Sequence, residues 1–404
     1  MAHLALHVLV MVEETGAWNV WSTSTYRQPS LNASAKFNAI IPTLLRCTIR
    51  ESLERFDCWG MAQVFWNNFS RCHHDAPNLV LQLYESDSDD TVSENLIDIF
   101  FATHEDSTLE LLSITQMADE VFTHLCVPFM NPGETRSGTE TPVTIPEDAE
   151  AAATELLAEY NSSDPWGRRR LAVLKSLVFL RDGGLCPLTE CAFIEFASKP
   201  SLLLAPATLC HVVPNSIGSN NKTEPLGMIS LFAGKEAAEV VRKELNSLGN
   251  VINLYPSSSM IFEELTFGIE ALEEDDEMHY YFRLPPNIQP PEPGTSPISV
   301  KPNARLAFGV GPYGKMLNGG PNLEICNLHW AIVKVMNMSG ASQIFLEQQR
   351  GDPPAMLPVH YIDARLDKFA MERGQFPHLD LYILKNLLRV SVSSWKRSRG
   401  WNQH

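Results

Sequence analysis

The residues of this chain that could do chemistry are few and gather in its middle third. His211 sits in Leu-Cys-His-Val-Val-Pro (209–214), directly after Cys210, with Cys186 and Cys191 upstream. Asn250 opens Asn-Val-Ile-Asn-Leu, and Ser257, Ser258 and Ser259 follow it. A histidine at the end of an apolar run, before a proline turn, is suited to act as a general acid or base, or as a hydrogen-bond donor in a pocket. The same histidine could simply hold the turn, and both readings stay open. Asn250 follows Gly249, so its amide could equally bond backbone at a strand entry. Zinc is a poor fit to Cys186, Cys191, Cys210 and His211. The first gap is at the loose end of zinc spacing, and adjacent ligands reach a tetrahedral ion badly. These cysteines read as small buried thiols.

Other tempting patterns are weaker. Cys72-His73-His74-Asp75 is contiguous, so its side chains point apart, and a surface loop is expected there. Gly309-x-Gly311-x-x-Gly314 echoes a dinucleotide-binding fingerprint, but it follows a proline-rich stretch without a strand–helix–strand unit and reads as a turn-rich loop. The acidic run Glu270–Glu277 has no glycine turn of the calcium-loop kind and reads as a solvated loop. No Gly-x-Ser-x-Gly nucleophile elbow occurs.

The order of elements from 181 to 272, under a quarter of the chain, resembles the HNH endonuclease-like module of fungal proteins. Arg181-Asp182-Gly183, Cys186 and Thr189 match its opening, and His211-Val212-Val213-Pro214 its first histidine. Asn250-Val251-Ile252-Asn253-Leu254 matches its asparagine element, and Phe262-Glu263 its closing aromatic–acidic pair. The resemblance implies a ββα-metal fold. In it the first histidine is the general base, the asparagine orients that base, and a last histidine on the helix holds a divalent cation. Here Ser259 stands where that last histidine belongs, and serine is a weak neutral ligand. Cys210 stands where metal-dependent relatives often carry another ligand. The resemblance therefore implies a degenerate module with no metal and no cofactor, whose site residues are His211, Asn250 and Ser259.

The rest of the chain must position that module. With 404 residues, 44% hydrophobic and 20% charged, it suits two or three packed domains and excludes global disorder. The fold class expected is α+β. Residues 1–129 read as an N-terminal α+β domain, with strands at Leu4–Val12, Leu79–Tyr84 and Leu96–Phe101 and helices at Ile40–Phe56 and Leu109–His124. Residues 130–146 read as a linker. Residues 147–283 form a helical lead-in, with Asp148 able to cap its first helix, followed by the HNH-like module. Residues 284–303 form a proline-rich linker, and 304–404 a C-terminal segment with a glycine-rich loop, an apolar run Leu328–Met338 and a helix near Leu379–Val392.

Composition also bounds partners. Lys and Arg total 31 against 48 Asp and Glu, a formal charge of −17, a poor basis for displacing counterions from nucleic acid. Arg168–Arg170 and Lys396–Arg399 read as a solvated helix end and a tail. No run of eighteen apolar residues marks a membrane span, and Leu4–Val12 reads as a buried strand in preference to a signal peptide. Eight scattered cysteines point to reduced thiols and a cytoplasmic setting. The partner expected is therefore a small molecule, held in a pocket that some of the eight tryptophans and nineteen phenylalanines could line. Three functions follow: a nuclease relic turned to small-molecule chemistry such as a Diels–Alder-type cyclisation or an isomerisation, a metal-dependent HNH endonuclease, or a binding or structural protein without chemistry.

Overall fold

The computed structural model describes residues 2–15, 18, 35–72, 76–85, 112–130, 149–163, 168–196, 204–218, 224–275, 277–290 and 298–349. Helices predominate, with a two-stranded and a three-stranded antiparallel sheet among them, so the class is α+β.

The N-terminal part corrects the sequence reading. Ala2–Thr15 is a helix, α1, where a strand was expected. Its fully buried residues are Ala2, Ala5, Val8, Leu9 and Val12, a three-and-four spacing that puts one face into the core. Leu79–Tyr84 is likewise helical, inside α4 (Ala76–Glu85). Between them lie α2 (Ala35–Phe56) and α3 (Gly60–Phe69). The next helix runs as α5 (Leu112–Val121), a π turn (Phe122–Cys126) and α6 (Val127–Met130). The π turn lies just before Pro128, whose ring removes the N–H that would close an α turn on His124. The described residues up to Met130 thus contain no strand. The strand expected at Leu96–Phe101, the cap Asp148, most of the 130–146 linker and the helix near Leu379–Val392 lie outside the described residues.

The lead-in helices are α7 (Ala149–Ser162) and α8 (Arg168–Asp182). Of the arginines expected to be solvated, Arg169 is exposed, but Arg170 stacks on Tyr160 with its Cζ 3.7 Å from the ring centroid. Arg170 also bonds the carbonyls of Tyr160 and Asn246. Then follow β1 (Thr208–His211), α9 (Glu224–Ala233), α10 (Lys235–Glu244), β2 (Val251–Leu254) and α11 (Pro256–Glu263).

The acidic run expected to be a loop is instead the turn end of a hairpin. Strands β3 (Gly268–Glu274) and β4 (Glu277–Arg283) pair from Gly268↔Arg283 to Glu274↔Glu277, and β5 (Arg305–Leu306) joins the far edge of β4. Glu270 faces Arg55 of α2 and Arg283 of β4, each at 2.6 Å. Burial pushes the Glu270 carboxyl up, but the two guanidiniums outweigh it and hold the group below its ordinary value. Helices α12 (Leu323–Ser339) and α13 (Ala341–Gln349) follow, and α12 packs on both α2 and β3. Asn322 caps α12 with its side-chain oxygen, and Gly340 ends it at φ +80°. One apolar core runs from Ala2 of α1 to Phe345 of α13 and takes in residues of β1, β2 and α11 on the way.

Candidate functional site

Strands β1 and β2 are antiparallel, with His211 opposite Val251 and Cys210 opposite Ile252. Tyr255 links β2 directly to α11, where Pro256 takes the first helical position and needs no N–H partner. Helix α11 packs on β1 and α8 packs on β2. The two strands are therefore far apart in sequence but adjacent in space, and α9 and α10 fill the interval between them.

Asn250 holds this arrangement together. It is fully buried, and its Oδ1 accepts from the Val213 N–H at 2.7 Å. Its Nδ2 donates to the carbonyls of Val213 at 2.7 Å and Leu245 at 2.8 Å, while its own carbonyl accepts from the Val212 N–H at 2.8 Å. Every part of the amide is spent on backbone, so Asn250 pins the chain that leaves His211 and offers nothing to a substrate. Buried backbone groups must find partners, and the turn around Val213 finds them in this side chain.

His211 lies half-buried at the end of β1. Its Nε2 is 3.0 Å from Asn215 Nδ2. This contact orients the imidazole ring. Asn215 is buried, in a short turn that opens after Pro214. Its position four residues after His211 was visible in the sequence, but the proline between them hid any regular spacing.

Ser259 is buried on α11, and its hydroxyl is 3.2 Å from Glu263 Oε1, one helical turn on. The structure thus brings His211 and Asn250 together across the β1–β2 pair. It sets Ser259 on the helix packed against β1, engaged with its own helix. Cys210 is buried, and its thiol is 3.5 Å from the Thr208 carbonyl. Among the described residues no three His, Cys, Asp or Glu side chains come together as a metal-ligand set. Of the three residues the resemblance singles out around a cation, Cys210 and Ser259 are buried and Ser259 is engaged with Glu263.

Arg181 does far more than a turn residue would. It is fully buried, and its guanidinium forks onto the Asp182 carboxylate at 2.8 and 2.6 Å. It also donates to the carbonyls of Leu248 at 2.6 Å and Val251 at 2.9 Å, which fixes the entry to β2. Asp182 in turn accepts from the Gly309 N–H at 3.0 Å. The glycine-rich loop then caps α8: Gly311 N–H bonds the Arg181 carbonyl at 2.8 Å and Tyr313 N–H that of Leu180 at 3.0 Å. A side chain at Gly311 would put its Cβ 2.5 Å from the Leu180 oxygen. The glycines therefore serve close backbone approach to a helix end, and these N–H groups are already spent. Gly183, at φ +87°, turns the chain out of α8 in a backbone conformation that favours glycine.

A second ion pair lies beneath the strands. Lys175 of α8 and Glu195 are both buried, 3.2 Å apart, and the Glu195 carboxylate accepts from Ala207 N–H at the entry to β1. On the other side of α11, His329 of α12 is fully enclosed and stacks on Phe262, ring centroids 4.4 Å apart. Burial lowers its pKa to about 3, so the imidazole is neutral, and its Nδ1 has no hydrogen-bond partner among the described residues. The hydroxyl of Ser258, one turn before Phe262, is also buried without a partner among the described residues. No motif marked His329, because an isolated histidine in an apolar helix looks like any core residue.

No family model, no curated protein and no solved structure matches this chain.

Proposed function

We propose that the chain is a metal-independent, HNH-like protein repurposed as a small-molecule enzyme of fungal natural-product biosynthesis, a Diels–Alder-type cyclase or an isomerase. The observation that carries the reading is His211: of the three expected site residues it alone keeps a half-exposed polar side chain, held in one orientation by Asn215. Two antiparallel strands followed at once by a helix, with Asn250 binding the turn after His211, support an HNH-like origin. The donor set at Cys210, His211 and Ser259 supports loss of the metal, and the −17 charge supports loss of nucleic acid as substrate.

A pericyclic or isomerising step of this kind needs a shaped cavity that folds the substrate and one donor that polarises a carbonyl. The half-buried His211 imidazole supplies that donor, with Asn215 orienting the ring. One such bond, stronger in the transition state, contributes on the order of 2–4 kcal/mol, a factor of ~10²–10³ in rate. The test is to incubate the protein with a panel of linear polyene carbonyl compounds and follow isomeric products by mass spectrometry. The reading expects a cyclised or isomerised product, slowed about 10²–10³-fold in His211→Ala. Plasmid nicking in magnesium that His211→Ala abolishes would replace it with the endonuclease.

A second reading has its own support. Asn250 and Ser259 both spend their polar atoms inside the protein, as a scaffold requires. A binding or structural protein without chemistry would leave every compound of the panel unchanged.

A further inference from the structure

We propose that Cys186 and Cys191 form a thiol–disulfide pair that closes on exposure to a small disulfide. The two residues face each other at the base of the turn Cys-Pro-Leu-Thr-Glu-Cys. The Cys186 N–H donates to the Cys191 carbonyl at 3.0 Å, one step inside the antiparallel bridge Leu185↔Ala192. Opposed residues of an antiparallel pair project to one face and have Cα atoms ~4.5–5.5 Å apart, inside the ~4.4–6.8 Å range that a disulfide spans.

The pair is asymmetric in the way such chemistry needs. Cys191 is exposed, whereas Cys186 is fully buried, so only Cys191 can meet a dissolved disulfide. The turn between them is held from outside: the N–H groups of Ser299 and Val300 bond the Leu188 carbonyl at 3.0 and 3.3 Å, and the Glu190 N–H bonds the Cys186 carbonyl at 2.8 Å. Glu190 takes φ +57° to keep the turn tight. Backbone thus holds the two residues opposite each other, and the contact to be given up is that of the Cys191 thiol with the Thr189 carbonyl, 3.4 Å away.

The chemistry balances with oxidised glutathione as the oxidant. The Cys191 thiol loses its proton and attacks one glutathione sulfur, forming a mixed disulfide and releasing a glutathione thiolate that takes this proton up. The Cys186 thiol, losing its proton, then attacks the Cys191 sulfur. A protein disulfide forms, the second glutathione leaves and takes up the proton, and the two cysteines are oxidised as one glutathione disulfide is reduced. Tyr255 carries the consequence toward the candidate site. Its hydroxyl bonds the Ala192 carbonyl at 2.8 Å, and it is the residue that links β2 to α11.

The full chain is incubated with oxidised glutathione, blocked with an alkylating reagent and cut after Glu190 with a glutamyl endopeptidase. The expected result is a single cross-linked species joining the peptides of Cys186 and Cys191, converted to two alkylatable peptides by reductant. Cys191→Ser, at an exposed position, gives neither the cross-link nor an adduct. Cys186→Ser leaves a persistent glutathione adduct on Cys191, and if that variant does not fold, Cys191→Ser alone still decides. The proposal is overturned if the wild-type chain keeps glutathione on Cys191 while Cys186 stays reduced, if Cys191 pairs with another cysteine, or if both remain alkylatable.

Discussion

Replacing Asn250 with alanine should cost more stability than most single substitutions in this chain. The side chain accepts one bond from Val213 and donates one each to Val213 and Leu245, all between 2.7 and 2.8 Å and all in the interior. Alanine leaves one N–H and two carbonyls stranded there. Each stranded group costs about 1–3 kcal/mol, and partial relaxation brings the sum to about 3–5 kcal/mol, at the upper end for one residue. For a cooperative unit of this length, about 4 kcal/mol corresponds to roughly 5 °C in Tm. Asn250→Asp keeps the acceptor for Val213 N–H but sets a carboxylate against two carbonyl oxygens. It should be at least as damaging at neutral pH and recover as acid protonates the group. Urea unfolding followed by tryptophan fluorescence reads both variants. An Asn250→Ala midpoint within about 1 kcal/mol of wild type would mean that these bonds contribute little, and the structural role argued for Asn250 would fail.

His329 gives the fold an acid sensitivity of known sign. Its folded pKa is depressed to about 3, so its contribution is whole above the ordinary histidine value and is lost as pH falls toward the folded one. Wild type should lose about 1.4 kcal/mol per pH unit from this group below pH ~6, and urea midpoints at pH 7 and pH 5 should differ less in His329→Phe. Arg181→Met should cost about 3–5 kcal/mol by leaving the Asp182 carboxylate buried without its partner. Adding Asp182→Asn should restore part of that in a double-mutant cycle. Gly311→Ala, whose Cβ would meet the Leu180 oxygen at 2.5 Å, should cost about 1–3 kcal/mol and loosen residues 309–320, read as faster limited proteolysis there.

Local signals carried some of this structure and missed the rest for identifiable reasons. Arg181-Asp182-Gly183, His211 and Asn250 stood out by order and spacing, and the strands at 208–211 and 251–254 lie at these elements. What spacing could not show is that Arg181 and Asn250 spend their polar atoms on backbone tens of residues away. The run Leu4–Val12 is apolar almost throughout, which erases the contrast between faces that separates helix from strand, and only burial at Ala5, Val8, Leu9 and Val12 reveals the period. In α4 the clue was present: Pro77 lies near the start of a helix, where its missing N–H does no harm. The acidic run at 270–277 has the charge density of a solvated loop. Yet Ile269 and Ala271 alternate with Glu270, and Arg55, far off in sequence, supplies the charge that lets Glu270 lie half-buried.

The central claim is that His211 works without a metal, and metal content with nuclease activity in one preparation tests it most directly. Elemental analysis of purified chain dialysed against zinc, magnesium or manganese, alongside plasmid nicking with the same ions, should show no stoichiometric metal and no cleavage. One bound ion per chain that disappears in His211→Ala, or nicking that the same substitution abolishes, would contradict it.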